Sequence, residues 1–156
     1  MMEKALAFAY RYLSFRPRSI QEVERYLEQK AKKYLFTPGE IQATIEILKD
    51  QGFLNDVEFI KSFVNARNSL KPKGKRMLIL ELKKSGVSSE DIDQFFSNSE
   101  AADENALAIE ALRHKMKALA MITDEKVKFT KAVSFLQRRG FSFEIARQAY
   151  LQLTQK

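Results

Sequence analysis

The sequence predicts an all-α protein built as three tandem three-helix repeats that form an elongated, curved rod. Three observations carry this expectation. The 156 residues include only five Gly and three Pro but abundant Glu, Lys, Leu, Ala and Gln, the residues that lose least on entering a helix. Capping signatures recur at Thr37, Ser88 and Ser142, 51 and 54 residues apart. Apolar residues then follow each cap at helical spacing.

The first repeat is expected over 1–55. Leu6, Tyr10 and Leu13 form the stripe of its opening helix, and the chain turns at Phe15-Arg16-Pro17-Arg18. Ser19 then caps a helix carrying Ile20, Val23 and Leu27. Thr37-Pro38-Gly39-Glu40 combines a capping threonine, a proline at the first helical position and an acid at the third, ahead of Ile41, Ile45 and Leu48.

The second repeat is expected over 56–98. Asp56 caps a helix with Phe59, Phe63 and Val64, which gives way at Lys71-Pro72-Lys73-Gly74 to one bearing Leu78, Ile79 and Leu82. Ser88-Ser89-Glu90-Asp91 opens the helix of Ile92, Phe95 and Phe96. The third repeat, 99–156, has a long helix with Leu112, Met116 and Leu119. Asp124 starts the helix of Phe129, Val133 and Leu136, and Ser142-Phe143-Glu144 starts that of Ile145, Ala149 and Leu153. The polar, alanine-rich segment Asn98 to Asn105 is the expected bend between repeats two and three.

Two of the caps share a lead-in. Lys84-Ser85-Gly86-Val87-Ser88 corresponds to Arg138-Arg139-Gly140-Phe141-Ser142: a basic helix end, a glycine able to turn left-handed, an apolar residue, then the cap. Units of about fifty residues are marginal as independent cores, so neighbouring units are expected to pack end to end.

Several function classes are excluded by what is missing. The sequence contains no cysteine, hence no disulfide, no thiolate metal site and no cysteine nucleophile, and it fits a reducing, cytoplasmic setting. The opening residues read as neither a signal peptide nor a membrane span. No Walker loop, dinucleotide fingerprint or HExxH spacing occurs. The lone His114, between Arg113 and Lys115, reads as a solvent-facing helix residue. No catalytic residue, metal or cofactor is expected.

What the chain does carry is positive charge: 27 Lys and Arg against 20 Asp and Glu, divided +2, +2 and +3 over the three repeats. Charge spread along the length suits a long polyanion, although a solvated surface gives the same composition. The densest run, from Arg67 to Lys84, holds Arg67, Lys71, Lys73, Lys75, Arg76, Lys83 and Lys84 against the single acid Glu81. Its Pro and Gly place the central four at a helix-helix corner, where exposed amides and side chains together can hold phosphate oxygens. A soluble loop with basic helix ends is the alternative. Arg16 and Arg18 beside Pro17, and Arg138 and Arg139 before Gly140, occupy comparable corners. Lys30, Lys32 and Lys33 form a fourth cluster that a frayed helix end explains nearly as well. Phe59, Phe63, Phe95, Phe96 and Phe135 have core spacing rather than a base-stacking pattern.

In order and spacing, Arg16-Pro17-Arg18-Ser19, Gly52-Phe53-Leu54-Asn55-Asp56 with Phe59, Arg67, Lys73-Gly74, Leu82, Gly86-Val87-Ser88 and Arg139-Gly140-Phe141-Ser142 resemble the RecX family, regulators of the RecA recombinase. Asn55 departs from the acid usual there, leaving Asp56 the capping role, and Ile60 replaces a typical alanine. The resemblance implies a monomer lying in the deep helical groove of the RecA filament on single- or double-stranded DNA, with little sequence preference. Blocked filament growth, disassembly, and reduced RecA ATPase and strand exchange are implied, with roles in DNA repair, recombination and the SOS response. The alternative from the helices themselves is a stand-alone DNA-binding regulator, because three-helix units resemble helix-turn-helix domains. Against it, no short helix concentrates the Arg, Asn and Gln side chains that read base edges.

Overall fold

A helix forms where its first amides find acceptors, and the chain supplies these at nearly every expected place. The computed structural model describes residues 2–97 and 103–155, without the side chains of Ser69 and Leu70, so most of the bend expected at Asn98 to Asn105 lies outside the described residues. Among them are nine α-helices and no strand: α1 (Met2–Phe15), α2 (Ile20–Tyr34), α3 (Pro38–Asp50), α4 (Asp56–Leu70), α5 (Lys75–Lys84), α6 (Ser89–Ser97), α7 (Glu104–Leu119), α8 (Glu125–Arg138) and α9 (Phe143–Thr154). No helix among the described residues is long and apolar enough to cross a membrane.

Ser19 closes a capping box at α2, its Oγ accepting from Glu22 N at 3.1 Å while Ser19 N donates to Glu22 Oε1 at 2.9 Å. Thr37 Oγ1 accepts from Glu40 N with Pro38 in the first turn, and Ser88, Asp124 and Ser142 cap α6, α8 and α9 as expected. The exception is α4. Asn55 Oδ1, not Asp56, accepts from Val57 N and Glu58 N at 3.0 and 3.2 Å. Asp56 turns away to accept the amide of Ile20 at 2.9 Å, capping the start of α2 instead.

The chain divides into two compact units, Met1–Phe63 with Leu82–Phe95, and Val64–Glu81 with Phe96–Lys156. In the first, α1, α2 and α3 pack on one another around Val23, Leu27, Phe36, Ile41, Ile45, Leu48 and Leu54. Of the expected α1 stripe, Leu6 and Leu13 pack against this core while Tyr10 is exposed, and Ala5 and Ala9, not expected there, are fully buried. Small side chains let α1 approach closely, and Tyr10 reaches Gln51 Oε1 through its hydroxyl and Phe53 edge to face. In the second unit, α7, α8 and α9 enclose Leu112, Leu119, Val133, Leu136, Phe141 and Tyr150. Within α4 to α6 and their turns, Phe59, Ile60, Val64, Leu78, Leu82, Val87 and Ile92 are buried.

One junction occurs twice. In the first unit, fully buried Ser19 at the start of α2 donates its hydroxyl to the carbonyl of Ser85, just past the end of α5. In the second, Gly74 at the start of α5 donates its amide to the carbonyl of Arg139, just past the end of α8, at 2.8 Å. Each pairs the electropositive start of one helix with the electronegative end of another. The glycine following each carbonyl has positive φ, 86° at Gly86 and 95° at Gly140, and both are tightly covered. A Cβ on Gly86 would lie 2.6 Å from Gln21 Cβ, and one on Gly140 would lie 2.7 Å from Met77 N.

The first repeat has the same turn written differently. Leu35 ends α2 at φ 59°, followed by buried Phe36 and the cap Thr37, as Gly86 precedes Val87 and Ser88. Leucine is tolerated because its side chain is 79% exposed, so only the backbone conformation is unfavourable.

Two outcomes are expected from these contacts. In urea unfolding, Leu35→Gly relieves the left-handed strain and stabilises the protein by about 1 kcal/mol. Gly140→Ala, which adds a backbone clash to that strain, destabilises it by roughly 2 to 4 kcal/mol. The second concerns Asp56. Burial pushes its carboxyl above the ordinary aspartate range, reinforced by Asp91 and Glu22 and opposed by the Ile20 amide and Lys49. Between the two values the folded chain holds more of the proton than the unfolded chain, so stability falls as pH rises from about 4 through the raised value. Asp56→Asn keeps the acceptor without the charge, and is expected to flatten this slope with no loss of stability at pH 7. Asp56→Ala leaves the Ile20 amide unpaired and costs about 1 to 3 kcal/mol.

Candidate nucleic-acid interface

Each junction gathers cations that are far apart in sequence. In the first unit, the Ser19–Ser85 bond brings the Arg16-Pro17-Arg18 turn beside the end of α5, which carries Lys83 and Lys84. Arg16 is partly committed to structure: Nη2 meets Glu22 Oε2 at 2.6 Å and Nη1 donates to Pro17 O at 2.8 Å. The half-buried Arg18 guanidinium lies over the Tyr12 ring, 3.9 Å from its centroid. Lys83 and Lys84 are exposed and form no ion pair among the described residues.

In the second unit, the Lys71–Arg76 turn docks on the Arg138–Gly140 turn. Besides the Gly74–Arg139 bond, Arg139 Nη1 approaches Pro72 O at 3.5 Å, and a Cβ on Gly74 would lie 2.3 Å from the Gly140 carbonyl. Two clusters that the sequence separates by more than sixty residues are therefore neighbours. Two of the amides expected to be exposed at this corner are taken. Gly74 N is taken by Arg139 O, and Lys75 N donates to Glu104 Oε2 at 3.0 Å. An anion at this corner would not find those two amides and would be met chiefly by side chains.

Nor are the side chains equivalent. Glu81 binds Arg67 Nε at 3.2 Å and also Lys73 Nζ, so the one acid in the basic run holds two of its cations. Lys71, Lys75, Arg76 and Arg138 are exposed and unpaired with any carboxylate among the described residues, with Lys75 Nζ lying 5.4 Å from the Phe96 centroid. At the end of α2, Lys30 lies over Phe8 and Tyr26, and Lys33 over Tyr34, with the helix intact to Tyr34. Those lysines set their ammonium groups over aromatic faces.

The sequence reading missed two residues. Lys115 of α7 lines a cleft with Lys71 and Arg139, and exposed His114 borders the same cleft. Nothing local signals this, because Lys115 and Lys71 meet only through tertiary packing. Among the described residues no group of three His, Cys, Asp or Glu side chains is placed to hold a metal ion.

The same helices are found in known proteins. Residues 5–48 match a family model described as the first three-helix domain of RecX, and residues 55–94 one described as its second three-helix domain. A regulatory protein RecX from Chlorobium phaeobacteroides (strain BS1) is 32% identical over 151 residues, covering 97% of this chain and 94% of its own. Another from Bacillus subtilis (strain 168) is 30% identical over 152 residues, 97% of this chain and 56% of its own, so the chain spans about half the length of such relatives. A crystal structure of RecX from Lactobacillus salivarius shares the fold, with a TM-score of 0.81 at 21% identity, covering 97% of this chain and 96% of that one.

The division between held and unpaired cations is testable by stability. Lys73→Ala is expected to lose about 1 kcal/mol with its half-buried ion pair, whereas Lys71→Ala stays within about 0.5 kcal/mol of wild type in urea unfolding.

Proposed function

The chain belongs to the RecX family, and from that premise we propose that it is a non-catalytic regulator of the RecA recombinase. It binds within the groove of the RecA–DNA filament and limits filament growth, ATPase and strand exchange, and thereby DNA repair and recombination in the cytoplasm. The family membership supports a regulatory role. The observation that supports the finer reading is the gathering, at both helix-end junctions, of cations without a carboxylate partner among the described residues, Lys83 and Lys84 at one, and Lys71, Lys75, Arg76 and Arg138 at the other. We read the segments 1–55, 56–98 and 99–156 as three repeats that offer such corners at intervals along one partner.

Side chains without carboxylate partners keep their full charge for phosphate, and contacts of that kind fix position without reading sequence. A groove binder acting over many protomers needs this more than it needs base recognition. Arg67 and Lys73, held by Glu81, shape the corner rather than supply its strongest contacts. On this reading the cations without a carboxylate partner among the described residues make the strongest contacts.

The test is the RecA ATPase on single-stranded DNA, titrated with this protein before and after filaments have formed. Wild type is expected to lower the rate. Changing Lys71, Lys75 and Arg76 together to Ala is expected to raise the concentration needed by about tenfold and to reduce the log-log salt slope by about 2. Unchanged ATPase and filament length across the titration would refute the proposal. Action on growing filaments alone would assign growth blocking, and action on preformed ones disassembly.

A further inference from the structure

We propose that the cleft between α7, the end of α8 and the Lys71-Pro72 turn accepts an unpaired base of a nucleic-acid strand together with its phosphate. The inference rests on the reading that the neighbouring basic corner meets nucleic acid, and it adds what that corner recognises.

The cleft is open and about 350 Å³, within the range of small-ligand pockets. Its floor is apolar. Phe135 lines it together with the small side chains of Ala111 and Ala118 of α7. Its rim is cationic, with Lys71, Lys115 and Arg139, and no carboxylate lines it among the described residues. The cations are arranged on the ring itself: Arg139 Cζ lies 4.8 Å and Lys115 Nζ 5.4 Å from the Phe135 centroid.

This combination selects among anions. A bare phosphate or a carboxylate side chain would use the rim and leave the aromatic floor idle. A base with its phosphate uses both, stacking on the platform that the planar Arg139 guanidinium forms over the Phe135 ring while the lysines meet the phosphate. Duplex DNA keeps its bases stacked and inaccessible, so the cleft favours single strands over duplex. The site is also held in place beforehand. Arg139 is the residue whose carbonyl accepts the Gly74 amide, and its guanidinium approaches Pro72 O, so little side-chain freedom remains to be lost on binding.

Fluorescence anisotropy with the full chain tests this, using a labelled thymidine oligonucleotide, an abasic strand of the same length and phosphate count, and a blunt duplex. Wild type is expected to bind the thymidine strand about tenfold more tightly than the abasic one. Phe135→Leu keeps the aliphatic packing of a half-buried residue but removes the π face. It is expected to bind both strands alike at the abasic level, with duplex affinity and circular dichroism unchanged. Should this variant lose its fold, Lys115→Gln provides the second readout, weakening the thymidine strand more than the duplex. Equal binding of thymidine and abasic strands by wild type overturns the inference, as does parallel weakening of strand and duplex in the variants. A protein that lowers RecA ATPase yet ignores the missing bases keeps the function proposed above and loses this site. One that discriminates the strands without affecting ATPase does the reverse.

Discussion

Just past the ends of α5 and α8, a carbonyl left unpaired by the helix is satisfied by the residue that precedes the first turn of another helix. Ser19 reaches Ser85 O with its hydroxyl, and Gly74 reaches Arg139 O with its amide. Burying a carbonyl without a partner costs about as much as losing a hydrogen bond, so these bonds fix where the starts of α2 and α5 can lie. The close approach then dictates glycine at 74, 86 and 140, since each Cβ would collide with its neighbour. Basic residues natural to helix ends are carried to the same places, so a structural requirement also gathers positive charge.

Charge at that surface is graded rather than uniform. Glu81 holds Arg67 and Lys73, and the Glu22 of the α2 capping box also holds Arg16. These cations shape their turns. The exposed cations beside them have no carboxylate partner among the described residues, and their charge faces solvent. A net charge of +7 therefore understates how unevenly the chain meets an anion.

Much of this was legible because it is local chemistry. Ser19, Thr37, Ser88, Asp124 and Ser142 each cap within three residues of themselves, and sequence displays that directly. What failed to show depended on distance. Asp56 looks like a cap until Ile20, 36 residues earlier, claims its oxygen, and Asn55 takes its place. The Lys71–Gly74 corner looks like an open loop until Arg139 docks on it, and Lys115 has no visible role until the same packing sets it across a cleft from Lys71. At Leu35 the failure was of another kind: the turn is present, but leucine hides the glycine signal that marks it elsewhere.

That leucine has a meaning for how an array of this kind can grow. Gly86 and Gly140 are sockets, each stripped of a side chain so that a helix start can be seated on it. Residue 35 occupies the equivalent place but presents an isobutyl group to solvent, which blocks the socket while leaving its own turn intact. Seating a helix start there would first require removing that side chain, so the same turn serves as a socket at 86 and 140 and as a plain helix end at 35.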